Sequence, residues 1–170
     1  GLGIGIYGSS SCSVINNTVS GNFNPGIYLQ SANNNNVFNN EASHNIVAIR
    51  ADGSDNNIIE NCVGFAGAPG VMAAAGHNYA HHNRFTRIAP TAVRSLGSTL
   101  MLTDNLFYNN EVALLGNAGT DARWNWWGDS TGPNCPQNPD GQGDSIRGNI
   151  LFDPWYADTS FFVHAFPPRT

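Results

Sequence analysis

Asn35-Asn36-Val37-Phe38-Asn39-Asn40 and, one period later, Asn56-Asn57-Ile58-Ile59-Glu60-Asn61 are the stretches that decide the fold. Their closing asparagines belong to a series, Asn17, Asn40, Asn61, Asn83, Asn105 and Asn125, with spacings of 23, 21, 22, 22 and 20 residues. Three residues before each stands a non-polar residue (Val14, Val37, Ile58, Ala80, Leu102, Ala122). Two residues after each stands another (Val19, Ala42, Val63, Phe85, Phe107, Trp127). A period near 22 over six copies marks a repeat architecture.

Short alternating runs such as Gly26-Ile27-Tyr28-Leu29 and Val47-Ala48-Ile49 read as strands. Turn-rich links such as Ser31-Ala32-Asn33-Asn34-Asn35 and Asp52-Gly53-Ser54-Asp55 separate them. Two or three such strands in every 22 residues predict an all-β parallel solenoid. Its six coils, each about 4.8 Å above the last, would make a rod of roughly 29 Å. Asparagine suits the bends because it tolerates left-handed backbone better than other non-glycine residues. Its amide carries both donor and acceptor, so like residues can bond along the axis. A single asparagine reads as a solvated turn residue; six in register read as a structural ladder. Ala42 and Ala80 are small in columns of larger residues, which predicts a cross-section that varies from coil to coil.

Composition agrees. Charged residues are 11% of the 170, and 19 are glycine, a poor recipe for helices. Non-polar residues reach 41%, too many and too regular for a disordered chain. There is no lysine; the seven basic residues are all arginine and are scattered, and the net charge is −5. Nucleic acid and anionic membrane are therefore unfavoured partners. No segment approaches the roughly 20 apolar residues of a membrane span. The chain opens on Gly1, not Met, which reads as a processed or excised piece and leaves location open. Cys12, Cys62 and Cys135 fit neither a disulfide framework nor a zinc spacing and read as two packed thiols and one loop thiol.

These segments, with Gly5-Ile6-Tyr7 and Gly26-Ile27-Tyr28-Leu29, resemble the right-handed parallel β-helix repeats of the pectate-lyase-like superfamily. They are nearest those of prokaryotic surface proteins and of the periplasmic β-helix of nitrous-oxide reductase maturation. The resemblance implies a single-stranded right-handed parallel β-helix over residues 1–127, placed outside the cytoplasm: extracellular, at the cell surface or in the periplasm. A second likeness covers Trp124-Asn125-Trp126-Trp127-Gly128, Thr131-Gly132-Pro133 and Asp153-Pro154-Trp155. It is similar to a segment that closes secreted β-helix modules, and implies a cap over residues 128–156 followed by an extended apolar tail, 157–170. Trp126, Trp127, Phe152 and Trp155 would cover the exposed core slice; a sugar-binding platform is the competing reading.

Candidates for chemistry are few. Enzymes of this superfamily use clustered aspartates, and Asp52, Asp55 and Arg50 form the nearest approach, although aspartate is also a favoured turn residue. No catalytic residue is assigned; were the chain an enzyme, it would resemble a polysaccharide lyase or hydrolase. His77, His81 and His82 carry metal-ligating rings, but neighbours in a strand face opposite sides, so His81 and His82 are expected not to share a metal. In the loop 138–144, Asp140 and Asp144, with Asp129, suggest calcium, the one cofactor considered; Asp/Gly turns give the same pattern.

The ends suggest assembly. Leu2, Ile4 and Ile6 enter β-helix sequence at once, with no capping helix, and Phe161, Phe162, Val163 and Phe166 form an apolar tail. The expected partner is the chain itself, head to tail in a filament, or further segments of a longer surface protein. Polysaccharide bound through Tyr7, Tyr28 and the polar faces is the alternative.

Overall fold

The computed structural model describes residues 1–53, 55–64, 69–97 and 99–162. The first coil comprises β1 (Ile4–Tyr7), β2 (Ser13–Ile15) and β3 (Thr18–Ser20). The second has β4 (Ile27–Gln30), β5 (Asn36–Phe38) and β6 (Glu41–Ser43), and the third β7 (Ile49–Asp52), β8 (Asn56–Ile59) and β9 (Cys62–Gly64). The fourth has β10 (Val71–Ala73), β11 (His77–His81) and β12 (Arg84–Thr86), and the fifth β13 (Val93–Ser95), β14 (Thr99–Thr103) and β15 (Leu106–Tyr108). Then follow β16 (Val112–Leu115), β17 (Thr120–Asp121), β18 (Pro133–Asn134), β19 (Gly143–Arg147), β20 (Ile150–Leu151) and a 3₁₀ turn, Ser160–Phe162.

Among the described residues each strand but β18, which pairs with β19, pairs with its counterpart a coil away, giving three sheets of eight, seven and five strands. The chain is an all-β parallel solenoid. The register confirms both apolar columns: Val14, Val37, Ile58, Ala80 and Leu102 are successive partners, as are Val19, Ala42, Val63, Phe85 and Phe107. Both columns point inward and are buried. Right-handed winding is the hand of nearly all parallel crossover connections.

The six expected coils resolve into five complete turns and a partial sixth. Among the described residues, the third sheet is continued beyond β15 only by a bridge between Leu106 and Trp126. The reason is local: after Trp127 the chain enters a segment with Pro133, Pro136 and Pro139, which cannot donate to a ladder. It rejoins the first two sheets through β19 and β20.

The core is a stack. Phe85, Phe107 and Trp127 lie face to face at 4.9 and 4.8 Å between ring centres, tilted by 18° and 13°. That spacing is the coil spacing itself, so each ring covers the one before it. Phe152 and Trp155 pack on the core partly buried and stack on each other at 6.1 Å. Trp155 lies over Gly132, where any Cβ would meet its ring. Trp126 is half-buried on the outside.

Candidate functional site

At most corners of the coil a left-handed residue is followed by an inward-facing one. Between the second and third sheets the left-handed residues are Asn16, Asn39, Glu60, His82, Asp104 and Trp124, with φ between 52° and 58°. The residue after each is the expected ladder asparagine. Asn40, Asn61, Asn83, Asn105 and Asn125 are 0% exposed, and each Oδ1 accepts from the backbone N–H of the asparagine one coil before, at 2.9–3.0 Å. Sequence reasoning found this ladder and missed two more. At the first corner Asn35, Asn56 and Asn78 bond in the same way. At the third, Asn45 supports Asn22, Asn110 supports Ile88, and Asp144 supports Asn110.

The side chains of the left-handed column point away from the core, so the second corner lines up Glu60, His82 and Asp104 on three successive coils. Here one expectation is corrected. His81 ends β11, and His82, at φ 55°, has already left the strand. Period-2 alternation stops with it, the ring turns back, and the two Nδ1 atoms lie 2.9 Å apart. One ring must donate and the other accept, so the pair holds a single proton between them. Burial pushes the His81 pKa down, His82 pushes it further, and the carboxylates of Asp104 and Glu60 partly oppose both. Asp104 is held in place: Oδ1 accepts from the Tyr156 hydroxyl at 2.5 Å and Oδ2 from Thr103 Oγ1 at 3.1 Å. His77 stands at the start of β11, on the far side of Tyr79.

Two coils on, the same corner carries Trp124, 49% exposed. With Met101, Leu102, Thr103, Asp121 and Arg123 it lines an open cavity of about 210 Å³. Arg123 grips Asp121 through Nε and Nη2 at 2.9 and 2.7 Å, which holds the Asp121 carboxyl below its usual range.

The other candidates are occupied with structure. Asp52 is forked by Arg50, with Nη2 at 2.8 Å, and also accepts from the Tyr28 hydroxyl at 2.7 Å; Asp55 takes a left-handed corner position. Of the calcium candidates, Asp129 accepts from the N–H and hydroxyl of Thr131, and Asp144 is the end of a ladder. Asp140 is exposed. Among the described residues no three His, Cys, Asp or Glu side chains converge as metal ligands do.

At the first coil Leu2, Ile4 and Ile6 are half-buried. At the far end Phe161 stacks on Tyr156 at 3.9 Å and Phe162 is buried; Val163 and Phe166 lie outside the described residues, as does the side chain of Cys62. Cys12 and Cys135 are free thiols. Among the described residues no helix is long and apolar enough to cross a membrane.

A family model described as periplasmic copper-binding protein (NosD) matches residues 1–149. The chain belongs to the NosD family. The matched span runs from the first coil into β20's approach, so the family and the solenoid are coextensive over nearly the whole chain. NosD proteins are periplasmic, and the chain is accordingly an extracytoplasmic β-helix. No curated protein and no solved structure matches it.

Proposed function

We propose that this NosD-family chain is a structural β-helix module, non-catalytic, that stacks end to end with further coils. The observation that carries the reading is the first coil. β1, β2 and β3 each have a strand partner on one side only, and Leu2, Ile4 and Ile6 are half-buried above the first core layer. Unpaired strand edges over an apolar slice are a template for another coil of the same kind. Head-to-tail addition that does not close gives a filament. Light scattering across a concentration series, with negative-stain images, tests it: rods that lengthen with concentration are expected, and Ile4→Asp or Ile6→Asp should leave single units. A compact monomer at every concentration, or association indifferent to those charges, would sink it.

Copper, named in the family's description, is a second reading, favoured by the His81–His82 contact. The described residues do not offer a shell of three or more ligands, but two imidazole nitrogens already facing each other suit copper chemically. Metal content after copper loading and desalting tests it, with His81→Gln expected to abolish uptake.

A further inference from the structure

Trp124 stands where the other coils place a polar residue. The left-handed position of this corner is Asn16, Asn39, Glu60, His82 and Asp104 in the coils before it, and a bulky side chain at positive φ is an outlier. Such strain persists only where the surroundings enforce it, and it gathers at ligand sites. Core packing does not explain the ring. It is 49% exposed, and Tyr156 meets it at 5.7 Å with a 51° tilt, not face to face. We infer that Trp124, Met101, Asp121 and Arg123 form a binding site for a neutral pyranose ring, either a free sugar or the end unit of a glycan. The site lies on the fifth and sixth coils, away from the first, and does not depend on end-to-end stacking.

Size and chemistry select the ligand. Met101 and Asp121 are partners on neighbouring strands, and with Thr103, Arg123 and Trp124 they line the open cavity of about 210 Å³. Sites for drug-sized molecules run to roughly 300–1,000 Å³, so this one holds a single ring and not a chain. Because it is open, its occupant has one apolar face, against Trp124 and Met101, and a hydrated remainder. A pyranose is built that way, with C–H bonds across one face and hydroxyls around the rim. Arg123 spends Nε and Nη2 on Asp121, at 2.9 and 2.7 Å. Its outer N–H groups and an outer lone pair of the carboxylate are left side by side, donor next to acceptor. Adjacent sugar hydroxyls, each of which both donates and accepts, match that pair. Thr103 donates to Asp104 and keeps its oxygen as a further acceptor. The fork is internally neutral, so an acidic sugar gains nothing from it.

Saturation-transfer NMR on the full chain tests the site, using the common neutral hexoses, their methyl glycosides and short oligosaccharides. Transfer to the C–H protons of one ring face is expected for at least one sugar. A methyl glycoside that binds as well as the free sugar assigns the end unit of a glycan; one that does not assigns the free sugar. Trp124→Asn installs a residue that tolerates the left-handed corner and should weaken binding by at least about tenfold, as loss of an aromatic anchor does. Trp124→Phe should restore part of it. Asp121→Ala and Arg123→Ala should each weaken binding, and thermal melts confirm that every variant folds. Tyr7→Ala, on the first sheet, should bind as the parent does. Affinity unchanged in Trp124→Asn, or lost in Tyr7→Ala, would overturn the site, as would silence across the whole panel. Tighter binding of adenosine or indole, or of uronic acids in a salt-sensitive way, would overturn the ligand class. Light scattering that shows Trp124→Asn dissolving an assembly would give the cavity to a second copy instead.

Discussion

Asn61 accepts from Asn40 twice: its Oδ1 receives the backbone N–H at 2.9 Å and the side-chain amide at 3.0 Å. Its own Nδ2 donates to the Val37 carbonyl at 2.9 Å, so one amide ties two coils together with no polar group left over. Asn83 repeats the arrangement beneath it. Asn83→Ala removes the acceptor for two buried donors of Asn61. At roughly 1–3 kcal/mol for each of the two buried unsatisfied groups, a loss of about 2–6 kcal/mol is expected. Asn17 is only half-buried and donates to the ladder without an observed donor to its own Oδ1; Asn17→Ala should cost about 1 kcal/mol or less. Chemical denaturation of the two variants checks the contrast, and equal losses would refute the ladder as a source of stability.

The ring stack is the apolar counterpart of the ladder. Phe107 has Phe85 on one face and Trp127 on the other, and all three are 0% exposed. Phe107→Ala opens a hole between two rings that the backbone register keeps two coils apart, so little collapse can relieve it. The expected cost is about 3–5 kcal/mol. Tryptophan fluorescence gives a second readout: the emission of buried Trp127 should weaken its blue-shifted component, and an unchanged spectrum would mean that the stack had closed up.

The second-corner ladder was legible because one residue type fills it in every coil. The other two occupy equally regular positions, but Cys12 opens the first ladder's column, and Ile88 and Asp144 interrupt the third. Position repeats there while identity does not, and a reading keyed to asparagine passes over it. Asp144 is further hidden by the proline-rich segment, which stretches its spacing from Asn110 to 34 residues. Trp127 could be read from its column because no insertion precedes it. The histidine pair was misread for a different reason: strand alternation predicts opposite faces, and one left-handed residue at the strand's end reverses the outcome. Nothing in the residue types announces where that alternation stops.

Asp144 does an asparagine's work with a charge. Its Oδ2 accepts from the N–H and Nδ2 of Asn110 at 3.0 and 2.7 Å, yet burial pushes its pKa up against the pull of those bonds. Desolvation therefore outweighs the hydrogen bonds. A carboxyl whose folded pKa lies above its unfolded value takes up its proton more readily when folded. Its favourable contribution is present in acid and lost as pH rises through the folded pKa. Asp144→Asn keeps the acceptor and removes the charge. By the register of Asn45 on Val19 and Asn110 on Phe85, the new amide would reach the Phe107 carbonyl. Higher stability than the parent is expected at neutral pH, with the gap narrowing as pH falls toward the carboxylate range. Parallel melting curves across pH decide it, and a less stable variant at neutral pH would show that the charge strengthens the ladder.

Tyr156 links the C-terminal segment back to the coil that flanks the histidine pair. Its hydroxyl donates to Asp104 Oδ1 at 2.5 Å, and burial together with that bond pushes its pKa from 10.0 up to about 12. Because the folded pKa is raised, the stabilisation is whole below the unfolded value and disappears as pH climbs from 10.0 toward about 12. An alkaline titration followed by phenolate absorbance should therefore show a late phenol. Tyr28 is raised too, by burial and by Asp52, so the assignment needs Tyr156→Phe, which should delete the late step and flatten the loss of stability in alkali.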